Sequence, residues 1–125
     1  MLRLDLASKK LTELPMLNMV RYSHSSTIAD NTLAVFAGHS GHELLSTIEI
    51  INLKGMNAWR NLASEVLSPR MNPVVCTVGP RLVLVSGGSN RVGELLTDVM
   101  LFDTESCSLR KLFDAEVPFE SGRNN

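Results

Sequence analysis

The feature that most constrains this chain is an internal repeat with a period of about 50 residues. Residues Leu33–Gly38, LAVFAG, align with Leu82–Gly87, LVLVSG, at an offset of 49 positions, and Arg21 aligns with Arg70 at the same offset. A repeat of this length corresponds to one supersecondary unit, which buries its apolar face against the neighbouring unit. The chain is therefore predicted to contain a row of similar units.

The second half of the unit repeats at a slightly larger offset. Residues Glu43–Ser46 align with Glu94–Thr97 at an offset of 51 positions. The difference predicts a two-residue insertion in the loop after the glycine, because loops tolerate insertions better than strands do.

A third copy is partly visible at the start of the chain. Asp5, Asn52 and Asp103 each precede, by six or seven positions, a large apolar residue that is followed three positions later by leucine. These segments are LTEL at 11–14, WRNL at 59–62 and LRKL at 109–112.

Within each unit, the local patterns are typical of buried strands. Four short apolar runs end at glycine, asparagine or aspartate, and each is predicted to be a strand. These runs span residues 33–37, 48–51, 82–86 and 99–102. Segments 24–29 and 74–78 are predicted to form the preceding strand of a hairpin, and the Trp59 and Leu109 segments a fourth strand. Residues Leu53–Leu67 are also compatible with a helical turn. Four antiparallel strands in about 50 residues make one propeller blade.

The order and spacing of these residues resemble the kelch repeat. The kelch pattern runs from an arginine, through an apolar strand ending in Gly-Gly, to an aromatic-Asp pair and a later tryptophan. The second copy carries Arg70, Gly87-Gly88, Phe102-Asp103, and Leu109 in the tryptophan position. The first copy carries Arg21, Gly38-His39, Ile51-Asn52 and Trp59.

The resemblance implies an all-β fold, an arc of four-stranded antiparallel blades that forms an incomplete propeller ring. Residues 1–20 are expected to end a preceding blade, 21–69 and 70–117 to form two repeats, and 118–125 to start a next blade or to be a disordered tail. Because a ring needs four to eight blades, we expect a piece of a longer protein. The remaining blades or self-association would close the ring, and the arc alone is expected to be marginally stable.

Several residues of the repeat are interpreted as structural rather than functional. These are Gly38, Gly87, Gly88, Trp59 and Asp103. A chain that leaves a sheet in a sharp loop often needs a positive φ, which glycine adopts without steric cost. His39 is expected to occupy the place of the second glycine, so that His39→Gly should leave the fold intact or stabilise it slightly.

The stretch VFAGHSGHE looks catalytic, but a structural turn explains it better. A nucleophile elbow needs G-x-S-x-G, whereas His42 stands in the last position after Ser40. His39 and His42 have zinc-like spacing but no complete set of partners. The second copy, GGSNRVG, lacks the Lys-Ser/Thr pair of a phosphate loop. We therefore predict no catalytic residue, no metal site and no cofactor.

Composition argues against several classes of binding partner and cellular location. A net charge of −1 and 5% aromatic residues disfavour nucleic-acid binding, and no apolar run approaches the length of a membrane span. Two cysteines cannot form a dense disulfide framework, so a cytoplasmic protein with reduced thiols is expected. Cys76 is expected to be buried in its strand and Cys107 to be exposed.

By resemblance, the expected function is that of a protein–protein interaction module, a binding scaffold rather than an enzyme. The candidate partner-binding loops are 39–42, 89–93 and 54–58, with the residues His39, Ser40, His42, Ser89, Asn90 and Arg91. The alternative is a segment of a kelch-type propeller enzyme, an oxidase or sugar epimerase whose site lies in missing blades. Tyr22, the single tyrosine, cannot complete the copper site of such an oxidase here.

Overall fold

The computed structural model describes residues 2–55 and 58–116, where the regular structure consists of ten β-strands. The strands are β1 Leu2–Asp5, β2 Lys10–Glu13, β3 Ser25–Ala29, β4 Thr32–Phe36, β5 Thr47–Asn52, β6 Arg60–Ala63, β7 Val74–Thr77, β8 Leu82–Ser86, β9 Asp98–Asp103 and β10 Ser108–Asp114. All the predicted strands of the two complete repeats are present. The helical interpretation of Leu53–Leu67 was wrong, because the described part of it holds β6 and no helix.

The strands form two four-stranded antiparallel sheets in the same order. Strands β3-β4-β5-β6 make the first sheet, blade 1, and β7-β8-β9-β10 make the second, blade 2. Strands β1 and β2 pair only with each other, as an antiparallel hairpin. The predicted all-β architecture of kelch-type blades is confirmed.

The two blades pack face to face. Since alternate side chains of a strand point to opposite sides, each blade has two faces. The forward face of either blade is the one that points in the direction from blade 1 to blade 2, and the rear face is the opposite one. Residues on the forward face of blade 1 and the rear face of blade 2 form one buried cluster, in which the Phe36 and Phe102 rings meet edge to face at 5.5 Å. The other members of the cluster are aliphatic side chains and one methionine: Ala29, Ala34, Ala37, Ile48, Ile50, Leu67, Val83, Val85 and Met100.

The first strands of the two blades, β3 and β7, lie side by side. The hydroxyls of Thr27 and Thr77 are 2.8 Å apart, and the Thr77 hydroxyl donates to the carbonyl of Ile28 at 2.7 Å. The Ser25 hydroxyl also bonds to the carbonyl of Pro73. These contacts fix the angle between the blades at their inner edge.

Residues Leu14–Met19, which we call the N-terminal strap, cover the rear face of blade 1. Leu14 and Leu17 pack on a buried cluster around Trp59, and the Trp59 indole N–H donates to the carbonyl of Pro15 at 2.7 Å. The Glu49 carboxylate accepts the backbone N–H of Asn18 at 2.6 Å and of Met19 at 3.1 Å. The expectation that Trp59 belongs to the core is confirmed.

A buried arginine begins each blade. Arg21 pairs with Glu49 at 2.6 Å, and Arg70 pairs with Asp98 at 2.6 Å. Each guanidinium also donates to the carbonyl of the residue after the second strand of its blade, Ala37 at 2.9 Å and Gly87 at 3.1 Å. Because buried charges need partners, these pairs tie the start of each blade to its centre.

The structure corrects the alignment of the glycine pair. Ala37-Gly38 and Gly87-Gly88 are equivalent, because all four residues have positive φ angles and each arginine bonds to the first residue of its pair. His39 is equivalent to Ser89, since each forms the isolated bridge that follows its pair. His39 does not have a positive φ, so the basis of the predicted His39→Gly effect was wrong.

The predicted two-residue insertion is divided between two loops. Two residues, Asp30-Asn31, join β3 to β4, whereas three residues separate the Val78 and Leu82 pair at the start of β8. The second extra residue lies in the β8–β9 loop, where the closing bond joins Asn90 to Glu94 instead of Ser40 to Glu43. The offset is therefore 50 across β4 and β8, not 49.

The cysteines also differ from expectation. Cys76 is exposed on the forward face of blade 2, which no described residue covers, so the prediction of a buried thiol was wrong. Cys107 is partly buried against the junction of the two blades rather than exposed.

Candidate functional site

The β4–β5 and β8–β9 loops lie at the same edge of the arc, and each is closed by the side chain of one residue. The Ser40 hydroxyl oxygen accepts the N–H groups of His42 and Glu43, both at 3.2 Å. The Asn90 carboxamide oxygen accepts the N–H groups of Val92 at 3.1 Å and Glu94 at 3.0 Å. Such local bonds between side chain and backbone are typical of serine and asparagine in turns. Equivalent positions therefore hold both loops in shape.

The chain crosses from blade 1 to blade 2 directly beside the first loop. The Arg70 N–H donates to the carbonyl of Leu45 at 3.2 Å, and the Arg70 carbonyl accepts the N–H of Gly38 at 3.0 Å. The Arg70 guanidinium bonds both Asp98 carboxylate oxygens, at 2.6 and 2.7 Å, and these bonds hold the pKa of Asp98 below its ordinary value. The linker between the blades is thus fixed to both of them.

A groove of about 450 Å³ opens between the two loops and this linker. We call it the interblade groove; it is lined by Glu43, Leu44, Ser68, Pro69, Asn90, Arg91, Val92 and Leu96. Its walls are largely aliphatic, and Val92 is 72% exposed at the rim. Volumes of this size accommodate one or two side chains of a partner.

The rim of the interblade groove carries one charge from each blade. Glu43 comes from the blade 1 loop and Arg91 from the blade 2 loop, and neither forms an ion pair with another described residue. The carboxylate of Glu94, next to the groove, accepts a hydrogen bond from the Asn90 side-chain amide at 3.0 Å. The two rim charges are therefore available to a bound molecule.

The structure places the candidate loop residues in different positions. Asn90 and Arg91 line the interblade groove, and Ser40 closes the loop that carries Glu43. His39 and Ser89 instead form backbone bridges with Tyr22 and Met71, and His42 is exposed at the loop tip. The third loop, 54–58, follows β5 and so lies at the opposite edge of the blade; its residues 56 and 57 are outside the described residues.

Five groove residues lie outside the candidate loops that the sequence indicated. They are Glu43, Leu44, Ser68, Pro69 and Leu96. A usable signal was the antiparallel strand order, because the β4–β5 loop, the β8–β9 loop and the linker before β7 all lie at one edge of the sheets. The sequence alone does not show that the blades stand close enough for these segments to share a groove.

The histidine and serine of the β4–β5 loop are engaged in the turn. The Ser40 hydroxyl donates to the carbonyl of Glu43 at 3.3 Å. The Nδ1 atom of His39 accepts the N–H of Gly41 at 2.8 Å, and its ring lies 5.1 Å from that of Tyr22. Among the described residues, no three His, Cys, Asp or Glu side chains cluster as metal ligands.

The polar ends of β5 and β9 close turns at the other edge. Asn52 accepts the N–H of Lys54 at 2.9 Å through its side chain, and Asp103 accepts that of Glu105 at 2.9 Å. The Glu105 hydrogen bond lowers the pKa of the Asp103 carboxyl.

No helix in the described ranges has the length and apolar character needed to cross a membrane.

Two stacked four-stranded antiparallel sheets, with their first strands adjacent, define an arc of a β-propeller. Residues 21–64 match the sequence model of the Kelch motif, a segment that runs from Arg21 to just beyond β6. Blade 1 is therefore similar to a kelch repeat, and the kelch resemblance of the sequence is confirmed. No curated protein matches the chain.

Proposed function

We propose that this protein is a protein-binding module whose contact surface is the interblade groove. The observation that carries the proposal is the composition of the groove, which has aliphatic walls from both blades and one rim charge from each blade, neither of them paired with another described residue. Protein interfaces combine an apolar centre with a polar, charged rim. The kelch motif supports the same proposal, because kelch propellers commonly act as protein-binding scaffolds.

The groove is suited to binding because its walls are held in place before a partner arrives. Ser40 and Asn90 fix the two loops, and Arg70 fixes the linker. A preformed surface spends little of the interaction energy on ordering loops. We place the partner, another protein, in the cytoplasm; the free thiols Cys76 and Cys107 are compatible with a reducing compartment.

A peptide-display selection tests this proposal. A library of random peptides is selected on the immobilised chain, and enriched peptides are measured against the variants Val92→Asp and Ile28→Asp. Both positions are exposed aliphatic residues, at 72% and 52%, but Ile28 lies in β3 away from the groove. We expect the selected peptides to bind Val92→Asp at least about tenfold more weakly than the wild type, a loss of about 1.4 kcal/mol. The same peptides should bind Ile28→Asp with the affinity that they have for the wild type.

Arg91→Glu adds a second test of the groove, because it reverses one rim charge without changing the walls. Peptides that depend on Val92 should also respond to this reversal. The proposal fails if selection yields no peptides, or yields peptides that bind the wild type and Val92→Asp equally well.

A further inference from the structure

The interblade groove carries charges of opposite sign on its two sides, and these charges do not neutralise each other. Glu43 belongs to the β4–β5 loop of blade 1 and Arg91 to the β8–β9 loop of blade 2. Both residues are exposed, and they form no ion pair with each other or with another described residue. The groove is therefore negative on its blade 1 side and positive on its blade 2 side, with aliphatic walls.

Neither charged side chain is used to hold its loop in shape. In the first loop the Glu43 backbone makes the closing bonds, since its N–H donates to the Ser40 hydroxyl at 3.2 Å and its carbonyl accepts the Ser40 N–H at 2.9 Å. In the second loop the Asn90 carboxamide oxygen makes them by accepting two backbone N–H groups. The Glu43 carboxylate and the Arg91 guanidinium thus stand on fixed loops but take no part in fixing them.

The linker between the blades adds a hydrogen-bond donor to the groove. The Ser68 hydroxyl lines the groove and accepts a hydrogen bond from the Arg70 guanidinium at 2.9 Å. A serine hydroxyl also has one proton to donate, and no described residue accepts that of Ser68. This proton can bond to a main-chain carbonyl of a bound segment. The Asn90 side chain, by contrast, is already engaged by its own loop and by Glu94.

We propose that the interblade groove binds an extended segment of a partner protein in which apolar side chains lie between a basic and an acidic residue. This inference rests on the proposed function and specifies the partner. The basic residue lies against Glu43, the acidic residue lies against Arg91, and one or two apolar side chains fill the space between the walls. A segment with its charges in the opposite order meets a like charge on both sides, so the groove selects the order of the charges as well as their presence.

Two versions of one peptide test the proposal. Peptides that were selected on the chain and that depend on Val92 are sequenced, and we expect a basic and an acidic residue on opposite sides of an apolar one. The tightest of them is synthesised as selected and with its basic and acidic residues exchanged. By fluorescence anisotropy, the wild type should bind the exchanged version roughly tenfold more weakly, because attraction becomes repulsion on both sides of the groove.

The combined variant Glu43→Arg, Arg91→Glu should reverse this preference, because it exchanges the charges of the groove. The matched control is Arg81→Glu, Glu105→Arg, which exchanges an exposed ion pair of 2.8 Å at the other edge of blade 2. Both combined variants keep the net charge at −1, and the control should prefer the same peptide as the wild type. On the wild type, the preference should also shrink at about 1 M salt, where charges are screened beyond about 3 Å. The dependence on Val92, which is apolar, should persist there.

The outcomes separate this inference from the function on which it rests. Peptides that depend on Val92 but bind equally well after the exchange of their charges would overturn the inference and leave the groove as a binding surface. A preference that the combined groove variant does not reverse would place the charge recognition elsewhere. If circular dichroism shows that this variant is unfolded, the salt dependence on the wild type decides, and a preference unchanged by salt overturns the inference. A selection without any peptide that depends on Val92 would overturn the proposed function, and this inference with it.

Discussion

Two consecutive residues with positive φ angles end the second strand of each blade, and they meet different constraints. At the first position, Ala37 in blade 1 and Gly87 in blade 2, a Cβ is tolerated, as Ala37 itself shows. At the second position, a Cβ on Gly38 would lie 2.7 Å from the carbonyl oxygen of Tyr22, and one on Gly88 would lie 2.5 Å from that of Met71. The close approach of the backbone therefore requires glycine at the second position, whereas at the first position a side chain meets only the cost of the positive φ.

We therefore predict that Gly88→Ala is far more destabilising than Gly87→Ala. For Gly87→Ala the nearest contact is an ordinary 3.8 Å, so the cost is about 1 kcal/mol for the left-handed backbone. For Gly88→Ala the backbone of Met71 has to move, and the cost should be about 3 kcal/mol or more. Urea unfolding of both variants measures the difference; equal losses of stability would contradict the equivalence of Gly87 with Ala37.

At the level of strands, the sequence predicts the elements but not their register. The apolar runs that end at glycine, asparagine or aspartate mark β4, β5, β8 and β9 because burial and turn geometry act locally. The predicted offset of 49 was wrong by one residue across β8. LAVFAG resembles LVLVSG at an offset of 49 and VLVSGG at an offset of 50 about equally well. Only long-range bonds, such as that of Arg70 to the carbonyl of Gly87, distinguish the two.

The ion-pair partners were unpredictable for a related reason. Glu49 lies in the middle of β5, whereas Asp98, the partner of the second arginine, lies two residues earlier in its strand, at the position equivalent to Thr47. Positions two apart share one face of a strand, so either position can reach the guanidinium. The interblade groove was partly predicted through Asn90 and Arg91, but its walls depend on the spacing of the blades.

Glu49 does more than Asp98 because it also holds the N-terminal strap. Both side chains of the Arg21–Glu49 pair are fully buried, and the carboxylate binds two strap N–H groups. Glu49→Gln removes the negative charge beside a buried guanidinium, which should cost about 3–5 kcal/mol. We also expect the strap to loosen, which would expose Trp59 to water.

Trp59 provides a readout that separates strap release from general loss of stability. It is the single tryptophan, and it is buried where its indole bonds to Pro15 of the strap. Glu49→Gln should shift its fluorescence to longer wavelength under conditions where circular dichroism still shows a folded chain. Asp98→Asn is the matched control, because its partner Arg70 makes no strap contact, and it should leave the emission unchanged. A shift of the same size in both variants would disprove a specific tie between Glu49 and the strap.

For the molecule as a whole, two partly buried groups, His24 and Asp98, make stability depend on pH in separate windows. Burial, and then the nearby Arg21 charge, lower the pKa of His24 below its ordinary 6.5, and its Nδ1 atom has no hydrogen-bond partner among the described residues. The unfolded chain therefore takes up this proton first as pH falls. The stabilisation is complete above about pH 6.5 and is lost progressively below it.

Asp98 acts in a lower window, with the same direction of change. Its hydrogen bonds with Arg70 lower its pKa below 3.8, so its contribution is complete above that pH and is lost as pH falls through the lowered value. We predict that the urea midpoint falls in two steps on acidification. His24→Gln should abolish the upper step, Asp98→Asn should abolish the lower one, and His42→Gln, at an exposed loop tip, should keep both. If the upper step persists in His24→Gln, then another group titrates in that pH range and the assignment to His24 is wrong.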